Sequence, residues 1–350
     1  MFLQKKTFSL SKNTQNLGLQ ILKMLLCFWI VMVHTCRVRK NNFFHMFFQR
    51  KYHVPAFLIM SFYFLYKHIS ERNIPKMKQR FERLLIPYII VPIIIWIFNN
   101  LLYIFHKFNR FGRKLTIRDL IKQIIIGRIF HRIFWYQFNL IFITLLFTII
   151  SFIFMKKFLI ILNIFVFVSY ILQYSGYHIK FFFNYSVSIR CSLGNTVEVM
   201  PSTVIGLFLG SINLIENLKI NRFKILFFSF IYIYFLFKYD IFINILGFYY
   251  PGIMHNFGAL LLFIFFSLIP FENIKNKKTL SFIKFISNYT GGIYYLHPII
   301  RDNIDNYKIN IRVLRNRNIY RSLIIYLICF CLCFIGIKIF GKTRMKYLFF

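Results

Sequence analysis

Apolar residues in this chain run in long unbroken blocks; they neither alternate nor keep to one side of a helix. Six blocks stand out: Leu17–Val33, Leu84–Phe105, Ile133–Phe154, Phe158–Tyr174, Val197–Ile215 and Ile319–Phe340. Each matches the roughly 17–25 residues that a helix needs to cross hydrocarbon. Tyr52–Tyr66 and Phe257–Phe271 are shorter, and Leu280–Ile300 begins amphipathic and ends apolar. Ile225–Tyr250 contains Lys238 and Asp240, and reads either as two short spans or as one segment with a bend. The pattern predicts an all-α polytopic integral membrane protein of about ten transmembrane helices in one bundle. A membrane barrel would instead show alternating segments of about ten residues. The even spread of blocks predicts a single membrane domain over residues 1–350, with a basic N-terminal segment at 1–16 and a short tail at 341–350. Lys5, Lys6 and Lys12 before the first block resemble a signal peptide. No small-residue cleavage site follows, and Lys23 lies inside the run, so the block reads as an uncleaved first span.

Composition strengthens this picture. Hydrophobic residues make up 58% of the chain, against roughly 45–50% in soluble domains. Charge adds something new: 45 Lys and Arg face 9 Asp and Glu. The basic residues punctuate apolar spans and form no stripe on a soluble fold, which argues against nucleic acid as a partner. They suit anionic membrane lipids, a phosphate-bearing substrate, or both. They do not fix orientation, because loops of both classes are basic. Arg37, Arg39, Lys40, Arg50 and Lys51 occupy one, and the stretches 67–83 and 106–132 are equally rich. Cys329, Cys331 and Cys333 look like a metal cluster on paper. On a helix only Cys329 and Cys333 share a face, so buried small side chains are the better reading, and no metal site is expected.

Ionisable groups inside apolar runs are the places to look for chemistry, since each costs roughly 2.5–3.5 kcal/mol at a helix centre. The first span holds Lys23 and His34. Eleven residues at 100° each leave the two only roughly 20° apart around the helix, and roughly 16 Å apart along it. One helix face thus carries a cation near one side of the membrane and an imidazole near the other. Lys23 alone would also read as a snorkelling anchor, and His34 alone as an interfacial histidine. Arg80 and Arg83 stand three residues apart and share a face, as a phosphate- or carboxylate-binding fork or as a basic flank against lipid. Ser61 is a polar residue within a span, where such a side chain usually bonds back to its own helix. Trp135 and Tyr136 open a span where belt aromatics are common. Glu198, one of the few acids, lies beside an apolar run and could pair with a basic residue of a cleft. His297 precedes Pro298, which reads as a helix interruption lining a cavity.

In their order and spacing these pieces resemble the acyltransferase-3 family of multispan membrane acyltransferases. The resemblance extends from Leu17 to about Pro298. Lys23 and His34 match the basic residue, ten intervening residues and histidine of the family's first span. Pro55 through Ser61 match its second span; Arg80, Arg83, Pro87 and Tyr88 match its Arg-x-x-Arg before Pro-Tyr; Trp135-Tyr136 and Tyr295-Leu296-His297-Pro298 match later segments. The chain departs from the family at Lys23, where Arg is commoner, at Gln20, where an acid is usual, and at Phe62, where Gly usually follows the serine.

The resemblance implies acyl transfer from an acyl-CoA donor, usually acetyl-CoA, with no bound cofactor. The implied acceptor is a hydroxyl of a surface carbohydrate or lipid-linked glycan, and the implied location is a bacterial cytoplasmic membrane with the N-terminus inside. It places His34 as general base or covalent acyl carrier and Arg80, Arg83 and Lys23 at the donor. Ser61 and Tyr136 are candidates for stabilising the oxyanion. A transporter or flippase of a charged lipid-linked sugar is the alternative from another class, since it too would place basic residues in a cavity.

Overall fold

The computed structural model describes residues 16–36, 52–106, 114–127, 134–154, 157–179, 187–218, 221–246, 251–270, 276–306 and 319–340. The basic segment before residue 16, the loop arginines and lysines at 37–51 and the tail at 341–350 lie outside the described residues. Helices account for nearly all that is described, and no strand occurs there. In chain order they are α1 (Leu17–Thr35), α2 (His53–Ser70), α3 (Ile74–His106), α4 (Ile117–Ile126), α5 (Phe134–Ile153), α6 (Phe158–Ile179) and α7 (Val187–Ser211). These are followed by α8 (Leu214–Leu218), α9 (Arg222–Leu246), α10 (Pro251–Leu268), α11 (Lys277–Asn288), α12 (Thr290–Asn306) and α13 (Ile319–Phe340).

Among the described residues, four stretches are long and apolar enough to cross a membrane on their own: Leu17–Thr35, Ile74–Leu101, Phe134–Ile153 and Ile319–Ile339. Val199–Ser211 and His255–Leu268 are shorter and apolar. The outer faces of these and the neighbouring helices carry exposed Leu, Ile and Phe, among them Ile94, Leu145, Phe167, Phe228 and Leu327. Water would penalise such a surface, and lipid accepts it. The protein is an all-α integral membrane protein.

The helices depart from the expected spans at five places. α3 starts at Ile74, ten residues before the apolar block, so Arg80, Glu82 and Arg83 lie on a helix rather than in a loop. The stretch after it holds α4, begun by a capping box in which Thr116 and Asp119 each accept from the other's backbone N–H. α4 ends on Gly127 at φ +74, where a side chain would be strained. The backbone of α9 continues through positions 238 and 240 as one helix. Leu280–Ile300 is divided at Tyr289 into α11 and α12. Finally, Pro298 does not interrupt its helix: α12 runs from Thr290 to Asn306. A proline removes one backbone donor, and a neighbouring side chain can serve the carbonyl group region left open. His297 Nδ1 bonds to the Ile293 carbonyl at 3.2 Å, one residue before the Tyr294 carbonyl that the missing proline N–H leaves open.

α1 is the hub, packing against α2, α10, α11, α12 and α13. One side places Leu19, Leu22, Leu26 and Trp29 against Tyr52, Ala56 and Ile59 of α2 and Ala259 and Phe263 of α10. The other side places Cys27 and Val31 against Ile293 of α12 and Cys329 and Cys333 of α13. Cys331 points outward from the same turn, as helical spacing requires. The most extensive packing joins α2 to α7. It depends on Gly206 and Gly210, one turn apart: a Cβ on Gly206 would lie 2.5 Å from the Ile59 carbonyl oxygen, and one on Gly210 would lie 2.7 Å from Tyr66 Cβ. Small residues at this spacing let two membrane helices bring their backbones together, and the close contact is itself the driving force where hydrophobic burial is not.

Gly206→Ala is therefore expected to force α2 and α7 apart at a cost of about 1–3 kcal/mol. Phe208→Ala, on the exposed side of the same helix, should cost within about 0.5 kcal/mol. Thermal unfolding in detergent checks both, and equal Tm values for the two variants would show that the glycine contact is not needed.

Candidate functional site

The site follows one face of α1. At its lower end Lys23 is half-buried, and Arg83 of α3 is close enough to act on it electrostatically. Arg83 itself is exposed. Arg80, on the preceding turn, faces α2: its Nη2 donates to Ser61 Oγ at 2.7 Å and its Nη1 to the Ser61 carbonyl at 3.2 Å. Its guanidinium lies over the Phe62 ring at 5.5 Å, and its Nε is buried without a partner. The two arginines are thus adjacent in sequence yet differently employed, one turned to α2 and one open. Ser61 accepts from Arg80 rather than serving only its own helix. The residue after it, Phe62, supplies the aromatic face for the cation.

No carboxylate among the described residues pairs with Lys23, Arg80 or Arg83. The scarcity is physical: a cation away from water is costly unless something neutralises it.

Tyr136 of α5 is the electrostatic neighbour of Arg80. Trp135 packs edge-on to it at 6.1 Å and is half-buried against the core of α2, α5, α6 and α7. The start of α5 is held by Gln137 Nε2, which donates to the Leu84 carbonyl at 2.8 Å. Asn139 donates to the Trp135 carbonyl at 2.6 Å and accepts from Thr196 of α7. Glu198 lies two residues further along α7; its side chain lies outside the described residues, so its pairing stays an expectation.

From Tyr136 a row of rings leads upward along α12. Tyr136 meets Tyr294 at 5.7 Å, Tyr294 meets His297 at 6.1 Å, and His297 stacks on His34 at 5.4 Å with 27° between the planes. His297 is fully buried, while the His34 side of α1 is exposed. The Ile293 carbonyl beside His297 Nδ1 can only accept, so Nδ1 carries the hydrogen and Nε2 keeps a lone pair. That Nε2 is buried and has no partner. Above the two imidazoles, Arg301 Nη1 donates to the His34 carbonyl at 3.4 Å, and its Nε and Nη2 donate to Asp302 Oδ1 at 2.8 and 2.6 Å. Thr35 donates to Ser322 of α13 at 2.7 Å or accepts from it, and Arg321 donates to Asp305 at 2.7 Å with only 1% of its own side chain exposed. These bonds fix the upper end of α1 between α12 and α13.

The structure therefore brings Ser61 to Arg80, Arg80 to Tyr136 and His297 to His34, and leaves the Lys23 and His34 ends apart on one face. Sequence reasoning passed over Tyr294, which joins Tyr136 to His297, and the Arg301–Asp302 pair. The signal for the pair was present: an acid, rare in this chain, one turn beyond His297 on the same helix. Among the described residues no group of three His, Cys, Asp or Glu converges as a metal site would.

Comparison with known proteins adds one finding. No curated protein and no solved structure matches the chain. The family model described as an acyltransferase domain matches residues 16–338, nearly its whole length. That span takes in α1 with Lys23 and His34, the Arg80–Ser61 contact and the row of rings up to His297, and the chain belongs to the acyltransferase-3 family of membrane acyltransferases.

Proposed function

We propose that the protein transfers an acyl group, acetyl in the first instance, from acyl-CoA to a hydroxyl of a surface carbohydrate or lipid-linked glycan, in the cytoplasmic membrane of a bacterium. One observation carries this reading. Beside the face of α1, Lys23 and Arg83 have no carboxylate partner among the described residues at one end, and a pair of imidazoles stands at the other, roughly 16 Å away along the helix. Cations of this kind favour an anionic ligand, and coenzyme A carries several phosphates. An imidazole near neutral pH is suited to take a proton from a hydroxyl.

In the reaction the acceptor oxygen attacks the thioester carbon and its proton passes to His34. The C–S bond breaks and the leaving thiolate takes that proton. Lys23 and Arg83 hold the donor's anionic part. Arg80 clamps Ser61, and through it orders the turn of α2 beside the donor. The row Tyr136–Tyr294–His297 forms a wall along which the acyl-bearing arm reaches His34.

Three outcomes are expected. His34→Ala should reach the membrane at normal level and lower transfer by roughly 10²–10⁴-fold, the usual contribution of a general base. Acyl analysis of the glycan fraction from expressing cells measures this, and unchanged acyl content would remove His34 from the mechanism.

Arg83→Gln should raise the KM for acyl-CoA by roughly tenfold, as expected for loss of a charged hydrogen-bonding partner, and leave the acceptor KM near its original value. Arg80→Lys should lose both bonds to Ser61, because an ammonium cannot reproduce the planar fork. Steady-state kinetics with each substrate varied in turn separate the two arginines. An Arg83→Gln enzyme with unaltered donor KM would make Arg83 a lipid-facing residue.

For Lys23 the charge is what counts. Lys23→Arg should keep most of the transfer, and Lys23→Gln and Lys23→Met should lose it. A snorkelling anchor would tolerate Met, which keeps length and apolar surface. Assays at matched membrane levels decide the matter, and near-normal transfer by Lys23→Met would take Lys23 out of the site.

A further inference from the structure

The unpartnered nitrogen of His297 is not used by the mechanism above. It is a hydrogen-bond acceptor with its tautomer already set by the Ile293 carbonyl, in a fully buried side chain, beside the exposed His34. Leaving a buried acceptor without a donor is unfavourable. Three neighbours that could have supplied a donor do not: His34 stacks on the ring face, Tyr294 lies against the ring at 61°, and Arg301 is committed to Asp302 and the His34 carbonyl. The acceptor is therefore open to a donor that a ligand brings.

We propose that His297 is a specificity-determining residue of the acceptor site: its Nε2 accepts a hydrogen bond from a second hydroxyl of the acceptor, next to the hydroxyl that reacts at His34. The inference rests on the acyl-transfer reading and deepens it. The two imidazoles are stacked with their centres 5.4 Å apart, close enough for two neighbouring oxygens of one acceptor to be served one by each ring. An acceptor with hydroxyls on adjacent carbons satisfies both. An acceptor whose neighbouring oxygen carries no hydrogen leaves Nε2 empty and brings two acceptors face to face. Sites built to hydrogen-bond a substrate hydroxyl discriminate strongly against analogues that lack it, for this reason. His297 makes no bond to the acyl carbon; its part is to choose and orient the acceptor.

The test uses the full-length protein in detergent, acetyl-CoA as donor, and thiol release as readout. Ethane-1,2-diol and 2-methoxyethanol serve as acceptors, because they share a reacting hydroxyl and a second oxygen, and only the diol can donate through that oxygen. The wild type should prefer the diol by roughly tenfold in kcat/KM. His297→Phe, which keeps a ring against His34, should bring the ratio close to one. His297→Gln, whose carbonyl can accept, should keep part of the preference, and it carries the test if the Phe variant does not fold. Reading the ratio within each variant cancels differences in the amount of folded protein. A wild-type ratio near one, or a His297→Phe ratio equal to the wild type's, overturns the inference and leaves acyl transfer standing. Absence of acceptor-dependent thiol release from the wild type with either alcohol, where His34→Ala gives the same background, overturns the acyl-transfer reading itself.

Discussion

A positive charge held away from water must be matched by something negative, and this constraint organises the molecule. In a medium of low dielectric constant the cost of an unmatched charge is several kcal/mol after relaxation. The chain is rich in cations and poor in acids, so acids cannot be supplied everywhere. Lys23 and Arg80 reach partial solutions: Lys23 stays half-open, and Arg80 takes two oxygens of Ser61 and the face of Phe62. Among the described residues no carboxylate neutralises either. The described residues therefore hold two cations in positions that suit an anionic partner. That is why α1 is held on so many sides: five helices pack on it, and its upper end is tied through Thr35 to Ser322.

The broad fold was legible because it rests on length and apolarity, which a membrane reads directly. The first span, the block at Ile133–Phe154 and the last span are helices close to where the hydropathy places them. Less legible was anything that depends on how a helix continues past its apolar part. The basic stretch before Leu84 forms the first turns of α3, since nothing in Lys76 to Arg83 opposes a helix and α2 gives Arg80 an acceptor. Pro298 reads as a break, yet the helix passes through it where His297 bonds to the carbonyl of Ile293. The contact of Gly206 and Gly210 with α2 was also missed. Four-residue spacing of glycines carries weight only once it is known which helix lies opposite, and a single sequence does not say.

The site was legible where one helix sufficed. Lys23 and His34 are related by helical arithmetic alone, and the structure keeps them on one α1. The contacts that cross between helices were not. Arg80 and Arg83 share a face by spacing, but the partner of Arg80 comes from α2, so the pair does not act as one fork. His34 and His297 are far apart in the chain, and no periodicity links α1 to α12. Their stacking follows from the packing of the two helices through Val31, Cys27 and Ile293. Each imidazole could be named as a candidate; that they form a pair is a property of the tertiary structure.

The two ends of the α1 face differ in pairing more than in number of charges, and this gives the path a direction. At the imidazole end each described arginine has its carboxylate: Arg301 holds Asp302, and Arg321 holds Asp305. At the Lys23 end the described cations have none. An anion approaching the first end meets groups whose fields cancel over a short distance, whereas at the second it meets an uncancelled field that the low dielectric strengthens. In the reading proposed above, a donor with an anionic head and a neutral acyl-bearing tail would thereby be oriented head to Lys23 and tail to His34, without any contact to the tail being required. In the proposed reaction the carboxylates near His34 serve the acceptor half: Asp302 offsets the charge of Arg301, which lies beside both imidazoles, so that end stays closer to neutral when a hydroxyl gives up its proton.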